Sequence, residues 1–506
     1  MQPGRVSRLA YLLALLSGFF AEQVFAAKDW DANAGLTTQA IFSDNVHLEK
    51  SNKQSDLGVR VTPSIGLQKD TRYNKLSFQY GLSYLEHLSI PVQGDYQHNL
   101  TANWNSELYR DTLFLDLRAN AGQTLTSRTG ANRGDDFTSG NTIQTFVYSI
   151  SPYTRHHFGT IADLEVRYTN DGVFLDSDSA SNSSSNRVNF SLNSGRGFKA
   201  VAWDVIGSYR LVEQEDSGDD DSYADARASV SYALNRYWAP NLFVAYEDNE
   251  IETSSKKPSE VIYGAGITWT PNRSLAVNLS FNSESNIGGG VIWTPSKRTE
   301  LELSYGDDPF NESFLFKLKH RSRRSVISAS YSENHTTTSR DELLQRQTFQ
   351  LVDSFGNTIV DPITGQPILV EQDSPDLNDE TYVLSRFELG YDVNIGRRDS
   401  LSFSAHHTNR DYQVSRRSET NWGINAHWSH ILAANLRSNL RIAWDTFDGD
   451  TDADDSIDWS LGSALTYNLT SKTSLTLDLQ HRVNDASTAA SGYTENRVTM
   501  TLGTSW

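Results

Sequence analysis

The chain ends in VTMTLGTSW, residues 498–506, and this stretch decides the fold. Successive side chains of an extended strand point to opposite faces. One face of this stretch therefore carries Val498, Met500, Leu502 and Trp506, and threonine, glycine and serine occupy the other face. A strand that is apolar on one side, polar on the other and closed by an aromatic residue is typical of the last strand of a transmembrane β-barrel.

The same alternation recurs along the chain, in runs such as 57–67, 76–84, 201–211, 387–395 and 459–469. Each run reaches the length of about 9 to 11 residues that a tilted strand needs to cross a bilayer. No sustained helical period follows the amino-terminal segment. The pattern predicts an all-β protein.

The links between runs alternate in length and charge. Short, often basic links such as 109–111, 271–273, 295–298 and 396–399 alternate with longer, acidic links such as 213–222 and 447–458. Short periplasmic turns and long extracellular loops are the known asymmetry of outer-membrane barrels. Counting runs predicts an antiparallel up-and-down barrel of about 24 strands, within the range of about 22 to 26, with both chain ends at the short-turn rim.

The amino terminus indicates export. Arg5 and Arg8 precede the apolar stretch 9–20, and the small residues around Ala26 suit a signal peptidase. We predict a signal peptide at 1–26 and a single barrel domain at 27–506, the alternative being a retained membrane anchor. The chain has no cysteine, which excludes disulfides, thiolate metal sites and a lipid-modified amino terminus. The predicted location is the outer membrane of a Gram-negative bacterium.

The apolar side of nearly every run lacks charged residues, and the opposite side is rich in them. A charge facing lipid at mid-bilayer costs about 2 to 4 kcal/mol for Arg or Lys, so the charged side is expected to face a wet lumen. A soluble two-sheet sandwich would show the same alternation, but it has no reason to combine it with an export signal and loop asymmetry. The residues predicted to face the lumen are Arg60, Asp116, Arg118, Asp163, Glu165, Arg167, Arg227, Glu302, Lys317, Lys319, Arg386, Glu388, Asp392, Arg437, Arg441 and Asp478.

No pattern in the chain predicts catalysis. The acidic stretch 448–455 lacks the glycine and glutamate that a calcium loop places at its sixth and twelfth positions, and neighbouring histidines such as His406 and His407 point to opposite faces of a strand. There is no G-x-S-x-G motif and no basic aromatic patch for nucleic acid. We therefore predict no catalytic residue, no metal site, no cofactor and no nucleic-acid partner.

A barrel of this size would enclose a wide lumen. About 24 strands spaced about 4.8 Å apart give a backbone diameter of roughly 45 Å. Either a periplasmic partner or a folded-in loop must block such a lumen. The long loop predicted at 332–380 is long enough to act as a plug, and it contains apolar residues that it could bury. These residues are Phe349, Leu351, Val352, Ile359 and Ile363.

Two kinds of resemblance extend this interpretation. Residues Val498, Met500, Leu502 and Trp506 resemble the carboxyl-terminal signal that the barrel-assembly machinery recognises, although that signal usually ends in Phe. The stretches IFSDNVHLEKSNKQSDLGVRVTPSIGLQ (41–68), LVDSFGNTIVDPITGQPI (351–368) and DETYVLSRFELGYDVNIGRRDSLSFSAHHTNRDY (379–412) resemble outer-membrane barrels associated with the PEP-CTERM/exosortase system.

That family is associated with exopolysaccharide genes, and it brings no catalytic residues to transfer. The resemblance implies a conduit or scaffold for secreted polysaccharide, with a periplasmic export partner, outer-membrane lipid and lipopolysaccharide as its surroundings. The alternatives are a general diffusion porin for small solutes and a non-transporting surface anchor.

Overall fold

In the computed structural model the chain forms one closed antiparallel β-barrel. The structure describes residues 30–90, 95–125, 141–176, 182–214, 221–250, 260–284, 286–308, 311–337, 382–412, 415–449, 455–487 and 492–506. The strands are β1 (Asp31–Ser43), β2 (Asp56–Asp70), β3 (Asn74–His87), β4 (Asp95–Tyr109), β5 (Leu113–Leu125), β6 (Thr142–Phe158), β7 (Ala162–Leu175), β8 (Ser183–Ser194), β9 (Val201–Gln214), β10 (Asp221–Tyr232), β11 (Trp238–Glu250), β12 (Glu260–Asn272), β13 (Leu275–Asn282), β14 (Ile287–Ser296), β15 (Thr299–Asp308), β16 (Asn311–Arg321), β17 (Ser325–Thr337), β18 (Tyr382–Asn394), β19 (Asp399–Tyr412), β20 (Ser418–Ala433), β21 (Leu436–Asp448), β22 (Ser456–Asn468), β23 (Thr473–Ala486) and β24 (Tyr493–Ser505).

The barrel closes where the two ends of the chain meet. Every strand pairs with the next one along the chain, and β1 also pairs with β24, from Gly35 opposite Ser505 to Ser43 opposite Arg497. The main-chain N–H of Trp506 extends this ladder by donating to the Ala34 carbonyl at 2.9 Å. Closure removes the unpaired strand edges that an open sheet would expose. The predicted strand number and its even parity are confirmed.

Burial identifies the outer face of the sheet. On β24, Val498, Met500 and Leu502 are 38%, 51% and 46% exposed, whereas Thr499 and Thr501 are only 5% and 2% exposed. A soluble sandwich would bury the apolar side instead. The apolar residues therefore form the outside of the cylinder, as the bilayer requires, and the chain is an outer-membrane barrel.

Aromatic residues mark both ends of the apolar band. Toward the long-loop rim, three outward tyrosines donate a hydrogen bond to the carboxylate two residues further along the strand. The donor and acceptor oxygens are 2.5 Å apart for Tyr84 and Glu86, and 3.1 Å apart for Tyr246 and Asp248. The third pair, Tyr331 and Glu333, is 3.4 Å apart. An apolar ring with a polar handle is best satisfied at such an interface.

At the short-turn rim, a repeated Trp-Thr-Pro sequence ends two strands. The ladder shifts register after Trp269 in β12 and after Trp293 in β14, next to Pro271 and Pro295. Proline has no N–H to donate to the ladder, so the regular register is interrupted there, and one more pair, Asn272 with Leu275 or Ser296 with Thr299, closes each turn. These are the turns predicted around 271–273 and 295–298.

Two predicted segments lie wholly or mostly outside the described residues. The signal peptide at 1–26 is one, and most of the long loop at 332–380 is the other. The beginning of that loop differs from the prediction, because β17 continues to Thr337 and pairs with β18. The apolar alternation stops at Glu333, which faces outward beside Tyr331, so the sequence pattern ended before the strand did. Within the described residues, no helix is long and apolar enough to cross a membrane.

Candidate functional site

The inner wall of the barrel is the candidate functional site. Residues directly opposite each other on paired strands share a face, so the register connects the inner face from strand to strand. Thr501 lies opposite Gln39, Gln39 lies opposite Arg60, and Arg60 lies opposite Leu85. Following these pairs around the ring places all sixteen residues predicted to face the lumen on the face opposite the apolar band.

One group of inner charges bridges β5, β6 and β7. Arg167 Nη1 donates to Asp116 Oδ2 at 2.8 Å and to the Ser151 hydroxyl at 3.1 Å. The ion pair therefore joins β5 to β7 across β6, where a short serine leaves room for the long arginine. Arg155 Nε donates to Glu165 Oε2 at 2.8 Å on neighbouring strands. Both carboxylates are thus neutralised within the wall.

An aromatic platform lies beside this group. The rings of Phe114 and Tyr153 stack with their centroids 4.9 Å apart and their planes 12° apart. The Arg167 guanidinium lies 3.7 Å from the Tyr153 centroid, a distance at which cation–π attraction is strong. The platform faces the lumen near the short-turn rim, a few residues above the turn at 110–112.

A second ion pair bridges β21 and β23. Arg441 Nη2 donates to Asp478 Oδ2 at 2.5 Å, and the Asp478 side chain is only 6% exposed. Gly462 of β22 lies between them, and a Cβ atom there would be 3.1 Å from Arg441 Nε. The absence of a side chain at Gly462 lets the arginine cross the strand.

The same construction recurs at β19, β20 and β21. His406 Nε2 is 3.3 Å from Asp445 Oδ2 and 2.8 Å from Asn421 Oδ1. The His406 ring crosses Gly423 of β20, where a Cβ atom would overlap it. His407 points to the outer face instead, and its ring centroid is 4.1 Å from that of Trp422. The opposite orientation of adjacent histidines agrees with strand geometry.

The other predicted lumen residues are less connected. Lys317 Nζ is 4.0 Å from Glu302 Oε2, and the Arg227 guanidinium is 4.5 Å from the Phe243 centroid. Asp163 accepts from His157 at 2.6 Å. In the part of the chain that the structure describes, no ion pair is formed by Arg118, Lys319, Glu388, Asp392 or Arg437.

The seam between β24 and β1 carries a buried polar cluster that the sequence did not indicate. Ser43 Oγ donates to Glu495 Oε1 at 2.6 Å, and both residues are buried. His87 Nδ1 is 3.1 Å from Asp56 Oδ2, whose side chain is fully buried. The β1–β2 loop lies over this cluster, because Asn45 Nδ2 donates to the Thr494 carbonyl at 3.1 Å. Only the closure of the barrel brings Ser43 and Asn45 next to Glu495 and Thr494.

A further buried cluster lies at the long-loop rim of β18 to β20. Tyr382, Leu384 and Tyr412 pack together with at most 2% exposure. Tyr412 donates to Glu419 Oε2 at 3.1 Å. The sequence did not indicate that these residues would be buried together.

No group of three or more His, Asp or Glu side chains converges for metal binding among the residues that the structure describes. The wall instead combines paired charges with hydroxyl and amide side chains.

Comparisons with known proteins concern architecture. No family model and no curated protein matches the chain. Among solved structures, it is similar to the siderophore receptor PirA from Pseudomonas aeruginosa, with 10% identity, a TM-score of 0.42 and coverage of 96% of this chain and 82% of that chain. It is also similar to the FrpB iron transporter from Neisseria meningitidis, with 9% identity, a TM-score of 0.44 and coverage of 94% and 83%. The outer membrane channel DcaP of Acinetobacter baumannii gives 10% identity, a TM-score of 0.35 and coverage of 96% and 99%.

Proposed function

We propose that this barrel is a conduit across the outer membrane for a secreted polysaccharide. The observation that carries the proposal is the chemistry of the inner wall, in which several charges are paired within the wall and hydroxyl and amide side chains lie between the charged residues. The resemblance of residues 41–68, 351–368 and 379–412 to exopolysaccharide-associated barrels agrees with it.

The neutral part of the wall suits a hydroxylated polymer. The inner face of β4 presents Thr101, Asn103 and Asn105, and that of β8 presents Asn189 and Ser191. Hydroxyl and amide groups donate and accept hydrogen bonds, as sugar hydroxyls do. A solute passes through a channel only if its binding to the wall is weak enough for it to leave again, and single neutral hydrogen bonds are weak in this sense.

The paired charges also suit the passage of a neutral polymer. Asp116 with Arg167 and Asp478 with Arg441 already satisfy one another, so neither pair presents an unpaired charge to a passing chain. Phe114 and Arg167 lie over the Tyr153 ring from the two neighbouring strands, so the half-buried rings offer apolar edges to the lumen, against which the C–H faces of sugar rings can pack.

The test is solute-specific passage through the full-length protein in planar bilayers. Neutral oligosaccharides and polyethylene glycols of equal hydrodynamic radius are added to the periplasmic side of the open channel. We expect oligosaccharides to produce current blocks that last longer than those of polyethylene glycol. The Tyr153→Ser variant is expected to shorten the oligosaccharide blocks and to leave the polyethylene glycol blocks unchanged.

The alternatives give different results. A general diffusion porin would admit both polymers according to size alone, with equal block durations. A surface anchor would show no conductance, and its deletion would release surface polymer without reducing secretion. Either result would contradict the conduit.

A further inference from the structure

The short-turn rim is strongly cationic, although the net charge of the chain is −19. Eleven turns connect the strands at this rim, and all of them are described. Nine contain Lys or Arg, and the only acidic residue in the eleven is Asp111. The nine basic turns are 71–73, 110–112, 195–200, 233–237, 273–274, 297–298, 322–324, 395–398 and 469–472.

The density of positive charge is greatest across three neighbouring turns between β14 and β19. We call the seven Lys and Arg residues in and beside these turns the basic arc, and all seven side chains are exposed. The turns are fixed to one another by main-chain hydrogen bonds, from Arg321 N to Arg298 O at 2.7 Å and from Asn394 N to Arg324 O at 2.8 Å. The basic arc consists of Lys297, Arg298, Arg321, Arg323, Arg324, Arg397 and Arg398.

Tryptophan side chains lie on the outer surface just above the short turns of this rim. Eight of the 11 tryptophans are near the short-turn end of their strands or beside it. Trp238 and Trp269 stack with centroids 5.8 Å apart, and Lys69 Nζ lies 4.8 Å from the Trp30 ring centroid. A tryptophan belt marks the boundary between hydrocarbon and headgroups. The cationic turns therefore lie at headgroup level.

We propose that the short-turn rim binds anionic phospholipid headgroups of the periplasmic leaflet. The positive charges surround the barrel, and the leaflet contacts its whole circumference, whereas a protein bound at one side would leave most of them unused. Guanidinium groups match phosphate oxygens in pairs. Each basic residue at a membrane surface raises the affinity for an anionic headgroup by about fivefold. The binding is independent of what passes through the lumen.

The experiment measures lipid selectivity in the full-length protein. The protein is folded into phosphatidylcholine vesicles that contain brominated phosphatidylglycerol or, in a parallel sample, the same fraction of brominated phosphatidylcholine. Bromine quenches tryptophan fluorescence on contact, and most tryptophans are at the relevant rim. We expect phosphatidylglycerol to be preferred by about two- to fivefold, and we expect 0.5 M salt to remove most of this preference by screening.

Two variants with the same loss of charge locate the site. The arc variant is Arg323→Gln with Arg324→Gln and Arg397→Gln, and it is expected to lower the preference by about half, because the other turns remain basic. The control carries Lys50→Gln, Lys53→Gln and Arg416→Gln at the opposite rim, where the side chains are also exposed. It should retain the full preference.

Equal quenching by the two lipids would overturn the proposal. An equal loss in the arc and control variants would overturn it too, since the effect would then follow total charge. Heat-modifiable mobility on gels verifies that each variant is folded, and the salt dependence of the wild-type protein tests the proposal even if the arc variant does not fold.

Discussion

Two sectors of the wall are stabilised in different ways. In the closing sector, formed by β22, β23, β24 and β1, strands of 13 or 14 residues carry inner side chains bonded to one another. Gln39 Nε2 donates to Thr501 Oγ1 at 3.3 Å, and the Thr466 and Thr476 hydroxyls are 3.1 Å apart. In the glycine sector, formed by β12 to β15, β13 has only 8 residues and the inner face includes Gly264, Gly266, Gly288 and Gly290.

Chain connectivity explains this difference. The strands of the glycine sector are joined by tight turns, and short links limit the entropy lost on pairing. No turn joins β24 to β1, so their pairing closes a loop that is almost the whole chain. Side-chain bonds across the β24–β1 seam therefore stabilise the one strand pairing that no turn assists.

The largest expected effect is the loss of a carboxylate in the closing sector. Asp478→Ala removes the partner of Arg441 and should lower the free energy of unfolding by about 2 kcal/mol, less than for a fully buried pair because Arg441 is partly exposed. Asp392→Ala is the matched control, because this inner aspartate forms no ion pair among the described residues. Urea unfolding in lipid vesicles measures the free energy of unfolding of both variants. Equal losses would show that the ion pair with Arg441 does not contribute to stability.

A smaller loss is expected from filling the position that Arg441 crosses. Gly462→Val should displace the guanidinium and cost about 1 to 2 kcal/mol, and it should cost much less when Asp478 is already alanine. Gly122→Val is the control, because nothing lies within 4 Å of a Cβ atom at that inner position. A double-mutant cycle on unfolding midpoints measures the coupling. Full additivity would contradict the strand-crossing role of Gly462.

Loss of one neutral hydrogen bond at the seam should cost about 1 kcal/mol. Thr501→Val removes the acceptor of Gln39 Nε2, and both residues are buried. Thr268→Val in the glycine sector is isosteric and should leave stability unchanged. Thermal unfolding, monitored by the change in gel mobility, measures the stability of the Thr501→Val and Thr268→Val variants. A loss at Thr268 as large as that at Thr501 would remove the contrast between sectors.

The smallest effect is expected beside the glycine sector. Lys317→Gln separates a pair whose side chains are 58% and 38% exposed, and solvent screening limits the cost to about 0.5 kcal/mol or less. Unfolding midpoints in low and high salt provide the measurement. A loss comparable with that of Asp478→Ala would mean that the wall beside the glycine sector also depends on its ion pairs for stability.

Much of the barrel could be predicted from local pattern. Alternation along runs such as 57–67 predicted which side of each strand faces out, and the links at 271–273 and 295–298 predicted where strands turn. The two-residue period is a property of the isolated strand, so no tertiary information was needed. Arg441 and Asp478 were likewise placed on the inner face.

The partners of those residues could not be predicted. Arg441 reaches Asp478 two strands away, and which residues meet at that distance depends on strand tilt and stagger across the whole ring. Gly462 and Gly423 are unremarkable in the sequence until the side chains that cross them are known. Ser43 and Glu495 are separated by almost the full chain. Their contact exists only because the cylinder closes.

The short β13 and β14 have a consequence for the surrounding bilayer. The outward apolar residues of β13 extend from Leu275 to Phe281, whereas those of β3 extend from Leu76 to Tyr84. With a rise of about 3.3 Å per residue and a tilt of about 40°, the hydrocarbon thickness matched by β13 is smaller by about 5 Å. Annular acyl chains beside β13 and β14 must therefore be compressed or disordered, so the bilayer is locally thinner there than beside β3.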